Sequence, residues 1–146
     1  MSPEDKAACT LMAALLDRGR IVNGLSWPLT ALTLIALALA LIGPGAQSPL
    51  AWLGLAAAFA TGLVQAFLAA RVALDADLFR ALGLGNLEPQ TLDAALRRLA
   101  LANETKLGRP LEQRLAGAAR LLKMQVASLA LQFLLTLAFL AALRRM

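Results

Sequence analysis

The sequence predicts an all-α integral membrane protein with three transmembrane helices. Hydrophobic residues make up 60% of the 146 positions and charged residues only 16%, whereas a soluble domain is about 45–50% apolar and about 25% charged. The apolar residues are mainly Leu and Ala, which favour helices over strands. We predict spans at residues 25–42, 50–73 and 124–143, because each is close to the roughly 20 residues that cross a bilayer as a helix.

Residues 1–24 are predicted to form an amphipathic helix outside the bilayer core. Ser2 is a favourable N-cap, and Pro3 suits the first helical position. The apolar run that follows is too short to span a bilayer. We expect the helix to lie at the cytoplasmic interface or to pack on the rest of the protein. Its apolar residues at helical spacing are Ala8, Leu11, Met12, Leu15 and Leu16.

The first span, 25–42, contains no charged residue and has Trp27 near its start, where aromatic residues anchor helices at the membrane interface. The preceding segment is long and acidic for a signal peptide, so we expect an uncleaved anchor. Residues 43–49 contain Gly and Pro and predict a tight external turn.

The second span, 50–73, carries small residues at a spacing of four: Gly54, Ala58 and Gly62. Such a stripe lets two helix backbones approach closely. The helical period continues beyond the membrane until the sequence reaches Gly83 and Gly85. We therefore expect this helix to project from the bilayer.

The third span, 124–143, is predicted to be the second half of one long helix that begins at Pro110. Residues 74–123 should therefore form a cytoplasmic helical hairpin built from the extensions of spans two and three, with a short helix at about 89–102. Antiparallel pairing of these two extensions buries the apolar stripe of each against the other, as in helical bundles. The residues expected to meet are Leu74, Leu78 and Leu82 on one side and Leu111, Leu115, Ala118 and Leu122 on the other.

The distribution of positive charge predicts the orientation. Segment 71–123 holds nine of the fourteen Lys and Arg residues, and the turn at 43–49 holds none. Positive charge is enriched in cytoplasmic loops, so the N-terminus and the hairpin should be cytoplasmic. The basic C-terminus, residues 144–146, should be external. A bias towards Ala, Leu and Arg suggests a bacterium, and hence its inner membrane.

Uncharged polar residues form a stripe within the predicted spans. On the third helix these residues share one face, and two further residues lie four apart on the second helix. The stripe has two interpretations: hydrogen bonds between helices, or the lining of a path for a ligand, a lipid or water. Its members are Gln125, Ser128, Gln132, Thr136, Thr61 and Gln65.

Composition argues against most enzyme chemistry. The chain has no His and one cysteine, Cys9, which removes the usual ligands of zinc, copper and haem and every triad that needs a His base. We expect no catalytic residue, no metal and no cofactor. The acidic residues of the hairpin lie near arginines and are interpreted as solvated helix charges.

The basic residues of the hairpin are expected to contact the headgroups of anionic lipids. Neither a phosphate-binding glycine loop nor interleaved aromatic residues accompany them, so no nucleic-acid partner is predicted. The expected headgroup contacts are Arg97, Arg98, Arg120 and Lys123.

Two functional hypotheses follow. The first is a non-enzymatic scaffold or accessory subunit that docks a protein partner through the cytoplasmic hairpin. The alternative is a small homo-oligomeric pore or carrier that uses the polar face of the third span.

Overall fold

The computed structural model describes residues 1–42, 49–98 and 108–143. Of these residues 91% are helical, and none is in a strand. Three helices are long and apolar enough to cross a membrane, so the predicted fold class is confirmed to that level. The helices are α1 (Pro3–Asp17), α2 (Gly19–Ile42), α3 (Pro49–Gly83), α4 (Pro89–Arg98) and α5 (Leu111–Leu143).

The N-terminal helix begins with a reciprocal cap and ends earlier than expected. The Asp5 backbone N–H donates to the Ser2 hydroxyl at 3.1 Å, and the Ser2 N–H donates to the Asp5 carboxylate at 2.9 Å. Both bonds satisfy donors that a helix start leaves without partners. Instead of one helix over 1–24, α1 ends at Asp17 and α2 begins at Gly19.

The end of α3 is fixed by backbone geometry. Gly85 has a φ of 75°, a left-handed conformation that glycine adopts without steric cost. The Asn86 N–H donates to the Ala81 carbonyl at 3.0 Å and the Gly85 N–H to the Leu82 carbonyl at 3.1 Å. This pair of bonds is a Schellman motif, which satisfies carbonyls at the helix end.

Some predicted segments lie partly outside the described residues. The short helix expected at 89–102 is observed as α4, Pro89–Arg98, and the described residues stop at 98. Residues 43–48 of the predicted turn and the basic C-terminus at 144–146 also lie outside them.

The chain divides into two compact units. The first unit comprises Met1–Arg18 and Arg71–Leu122, and the second comprises Gly19–Ala70 and Lys123–Met146. Helices α3 and α5 each contribute one half to each unit.

The first unit has an apolar core, and the face by which α1 packs into it was predicted only in part: Leu16 is buried in the core and Met12 packs against it. Leu11 and Leu15 are 72% and 49% exposed. Because α1 is apolar on several faces, its periodicity did not identify the buried one. Small residues occupy much of the contact, which allows close helix packing. The buried residues are Cys9, Ala13, Leu16, Val72, Ala76, Phe79, Leu82, Leu92 and Ala118.

The predicted pairing of α3 and α5 in this unit is observed with one difference. Leu82 and Ala118 are buried in the core, but Leu74 is 47% exposed. Val72 and Ala76, two positions before and after Leu74, are buried instead, so the buried face of α3 here is nearly opposite to the one that Leu74 occupies. Partly buried residues that pack against the core include Leu78, Leu111, Leu115 and Leu122.

In the second unit, α2 and α5 run parallel. Gln125 donates to the Gly19 carbonyl, and Gln132 accepts from the Ser26 hydroxyl, with the same sequence separation of 106 in both pairs. Because the separation is constant, a step towards the C-terminus of α2 corresponds to a step towards the C-terminus of α5. The seven-residue interval between the two contacts is the heptad repeat of helices that wind around each other with a left-handed twist.

Helix α3 runs antiparallel to both of them. Gly62 faces Thr30 on α2 and Gln132 on α5. From this contact, α2 continues about 18 Å to Ile42, and α3 extends back about 20 Å to Pro49, at 1.5 Å per residue. If the two helices were parallel, these ends would be about 38 Å apart. The six residues 43–48 span at most about 25 Å, so α3 must return alongside α2.

Candidate functional site

The second unit contains a seam of buried polar side chains, centred on Gln132. This residue is fully buried. Its amide oxygen accepts from the Ser26 hydroxyl at 2.6 Å, and its amide nitrogen donates to the Thr30 hydroxyl at 2.8 Å. One side chain of α5 thus joins two consecutive turns of α2. Hydrogen bonds of this kind between membrane helices are worth about 0.6 kcal/mol each on average.

One heptad earlier, Gln125 contacts the start of α2. Its amide nitrogen donates to the Gly19 carbonyl at 2.9 Å, and the side chain is fully buried. The amide oxygen of Gln125 has no hydrogen-bond partner in the structure. Gln125 therefore uses half of its hydrogen-bonding capacity.

Gln65 on α3 contrasts with both glutamines of α5. It is also fully buried, yet neither its amide oxygen nor its amide nitrogen has a hydrogen-bond partner among the described residues. Within the same residues, the hydroxyl oxygen of Ser128 is also buried without a partner. Unpartnered buried polar groups are costly and uncommon, so each of them requires an explanation.

The remaining residues of the predicted stripe bond within their own helices. Thr136 is 3% exposed, and its hydroxyl donates to the Gln132 carbonyl at 2.8 Å. The Thr61 hydroxyl donates to the Ala57 carbonyl at 2.7 Å. The Thr61 hydroxyl therefore bonds within α3. The sequence had predicted that Thr61 and Gln65 form a polar pair on α3 that matches the polar stripe on α5.

The small-residue stripe on α3 is used unevenly. A Cβ atom on Gly62 would lie 2.5 Å from the Thr30 hydroxyl and 3.0 Å from the Gln132 amide nitrogen. Ala58 is fully buried. Around Gly54, by contrast, a Cβ would meet no atom within 4 Å. Close helix approach therefore depends on Gly62, next to the hydrogen bonds of Gln132.

An open groove of about 280 Å³ lies on the first unit, between α3 and α5. Its apolar lining includes Leu78 and Leu121, and its polar lining includes Asp75 and Gln113. Gly117 lies in the groove, and a Cβ there would meet nothing within 4 Å. Sequence reasoning missed this groove, although a glycine inside an amphipathic helical period is the signal that marks it.

Charged residues hold α4 against α5 in the same unit. Arg114 donates to both carboxylate oxygens of Asp93, at 2.7 and 2.9 Å. The Gly108 N–H adds a third bond to this carboxylate at 3.0 Å. Burial disfavours the charged form of Asp93, but these bonds and the charges of Arg114 and Arg97 outweigh it and lower the pKa of Asp93. A second pair of contacts links Arg80 to Asp17 and Asp77.

The predicted headgroup contacts stay predictions. Arg97, Arg98, Arg120 and Lys123 are all exposed, as a residue that binds lipid headgroups must be. Within residues 1–42, 49–98 and 108–143, no group of three His, Cys, Asp or Glu residues is placed to hold a metal ion.

The burial pattern assigns a class to this protein. Its long helices expose large apolar side chains such as Leu39, Phe67 and Leu134, each more than 60% exposed, while polar residues occupy the interior of the second unit. In lipid, apolar surfaces need no burial and polar groups do. The chain is a helical-bundle membrane protein.

Comparisons with known proteins add no relative to this assignment. No family model matches the chain, and no curated protein and no solved structure resembles it significantly.

Proposed function

We propose that this protein is a non-enzymatic scaffold or accessory subunit of a bacterial inner membrane, and that its first unit docks a helical segment of a protein partner. The observation that carries the proposal is the open groove between α3 and α5. Its apolar floor and charged rim have the character of a site for an amphipathic helix.

The location of the groove supports a protein partner. Four residues of the apolar core, Phe79, Leu82, Leu92 and Ala118, also line the groove, so a helix in the groove would extend that core. Its rim contains Arg71 and Arg109 as well as Asp75 and Gln113. A rim with charges of both signs and an amide suits a polypeptide, whose side chains offer both signs in return, better than an anionic headgroup alone.

Gly117 is the residue that keeps this surface open. Glycine in a helix interior costs about 1 kcal/mol relative to alanine, and no neighbouring atom requires a glycine at this position. A bound helix would require glycine at this position, because a side chain at position 117 would occupy the space in which the partner packs.

The alternative function, a homo-oligomeric pore lined by the polar face of the third span, has less support. Gln125, Gln132 and Thr136 are buried inside a single chain, and Gln132 already has its partners on α2. A pore would have to withdraw these side chains from the bundle before they faced an axis.

The proposal is tested by cross-linking from the groove in living cells. A photo-reactive amino acid at Gln113, on the groove rim, is compared with one at exposed Glu112, which lies outside the groove lining. We expect Gln113 to cross-link one partner protein that then co-purifies with the unmodified chain, and Glu112 to cross-link it at least tenfold less.

A matched pair of variants shows whether the groove itself is responsible. Gly117→Leu fills the groove and should abolish the cross-link without loss of stability, because it removes a helical glycine and meets open space. Ala116→Leu is exposed and outside the groove, and should leave the cross-link unchanged. Cross-links from Gln113 to lipid alone, or equal yields in both variants, would refute docking in the groove.

A further inference from the structure

Three polar side chains without complete partners lie at one level of the second unit. Gly62 is opposite Gln132, and α3 runs antiparallel to α5. Gln65, three residues further along α3, is therefore level with residues 128 and 129 of α5. Gln125 lies three to four residues below, which is about one helical turn. Gln65, Gln125 and Ser128, each with an unsatisfied group, thus form a layer about one helical turn deep.

The chemistry of these groups is balanced between donors and acceptors. The Gln65 amide offers two N–H donors and an acceptor oxygen, Gln125 offers an acceptor oxygen, and the Ser128 hydroxyl acts in either sense. A ligand that both donates and accepts can satisfy all three. A metal cation would satisfy the oxygens but would repel the Gln65 N–H groups.

We propose that Gln65, Gln125 and Ser128 form a binding site for ordered water inside the second unit. A water molecule there donates to the oxygens of Gln65 and Gln125 and accepts from Ser128 or from the Gln65 amide. Buried waters in proteins make about three hydrogen bonds to groups that otherwise lack partners. This layer supplies that number, whereas the layer of Gln132 has direct bonds between side chains instead.

The proposal is independent of partner docking, which concerns the first unit. It makes Gln65 and Gln132 a natural pair for comparison, since both are fully buried glutamines in one bundle. They differ in whether their amide groups have protein partners.

The test is proton-detected solid-state NMR of the full chain in lipid bilayers. Side-chain amide signals of glutamine are assigned through the backbone, and magnetisation transfer from water to each amide is measured. We expect strong transfer to Gln65 and transfer at least fivefold weaker to Gln132. Gln90, which is exposed on the first unit, serves as the positive control.

Two results would overturn the proposal. Absence of water transfer at Gln65, with direct contacts from its amide to Ser128 or Gln125, would show that the three side chains pair with one another. Equal transfer to Gln65 and Gln132 would show a generally wet interior without a defined site.

A variant of the proposed layer provides a second readout. Ser128→Ala removes one ligand of the water while it leaves the direct bonds of Gln132 in place. We expect transfer to Gln65 to fall at least twofold relative to Gln90. Unchanged transfer would show that Ser128 takes no part in the site.

Discussion

The two units differ in the polar side chains that they bury. Every buried polar or charged residue of the described chain belongs to the second unit: Ser26, Thr33, Gln65, Gln125, Gln132 and Thr136. The core of the first unit consists of nine apolar residues. Helices α3 and α5 run through both units, so the same helix changes its buried chemistry along its length.

This difference matches the two solvents that a membrane protein meets, water and lipid. In water, burial of apolar surface stabilises a fold by about 25 cal/mol per Å². In lipid this term vanishes between helices, and packing and polar contacts hold them together. The apolar core of the first unit is of the kind that proteins bury in water, and the polar seam of the second is of the kind that helices bury in lipid.

The chain has one natural probe for each unit. Its single cysteine, Cys9, is fully buried in the first unit, so the rate of thiol labelling reports opening of that unit. Both tryptophans, Trp27 and Trp52, lie in helices of the second unit, so their fluorescence reports changes there.

The largest expected effect comes from the same substitution made in both cores. Leu16 in the first unit and Leu55 in the second are each 1% exposed. Leu16→Ala should lower the free energy of unfolding of the first unit by about 3 kcal/mol, since burial of the removed apolar atoms is lost and a cavity is left. Leu55→Ala should cost only about 1 kcal/mol, because in lipid only the packing loss remains.

The measurements are the urea dependence of Cys9 labelling for Leu16→Ala and an SDS titration of tryptophan fluorescence for Leu55→Ala. The conservative changes Leu16→Met and Leu55→Met are the controls, and each should cost less than the alanine change at the same position. Equal losses for the two alanine variants would break the comparison between a water-facing and a lipid-facing unit.

The next effect tests the close approach in the second unit. Gly62→Leu should destabilise by about 2–3 kcal/mol, because the new side chain overlaps Thr30 and displaces it from Gln132. Tryptophan fluorescence in an SDS titration measures it. The matched control is Gly54→Leu on the same helix, where the space is open.

For the control we expect a change within about 0.5 kcal/mol, as for surface substitutions in general. If the two glycines proved equally tolerant, Gly62 would not set the distance between the helices, and the polar seam would have to do so alone.

The smallest effect concerns the first unit and depends on pH. Because the pKa of Asp93 is lowered in the folded state, its contribution is complete above the unfolded pKa of about 3.9. This contribution is lost as the pH falls through the lower folded pKa. Asp93→Asn should therefore destabilise by about 1 kcal/mol at pH 7 and by almost nothing near pH 2.

A pyridyl disulfide that reacts with Cys9 in acid provides the measurement at both pH values. Glu112→Gln, a change at an exposed carboxylate, is the control and should have little effect at neutral pH. A cost for Asp93→Asn that did not change between pH 7 and pH 2 would mean that its charge plays no part.

The sequence predicted the helices better than the faces that they bury. Charge-free length was enough to find three spans, and Pro110 marked the start of α5 to within one residue. The buried face of α1 was predicted only in part: Leu16 was correct, but Leu11 and Leu15 are exposed, because they have the same helical period as the buried Cys9 and Ala13. Periodicity identifies a face only when the opposite face is polar, and α1 does not meet that condition.

The candidate sites show the same limit. The polar face of α5 was visible from spacing, yet the acceptor for Gln125 is the backbone of Gly19, which no side-chain pattern reveals. The groove beside Gly117 was missed because it depends on the distance between two helices. Such distances follow from tertiary packing, whereas the spacing of residues along one helix can be read from the sequence.

The parallel pairing of α2 and α5 raises a question of register. Since the polar residues of both helices recur every seven positions, sliding α5 by one heptad, about 10.5 Å, would bring Gln125 opposite Ser26 and Gln132 opposite Thr33. Hydrogen bonding alone therefore allows two alignments of α5 against α2. In the observed alignment the Gln132 amide lies beside Gly62, and in the shifted one the Gln125 amide would lie there, so packing elsewhere along the two helices must select between them.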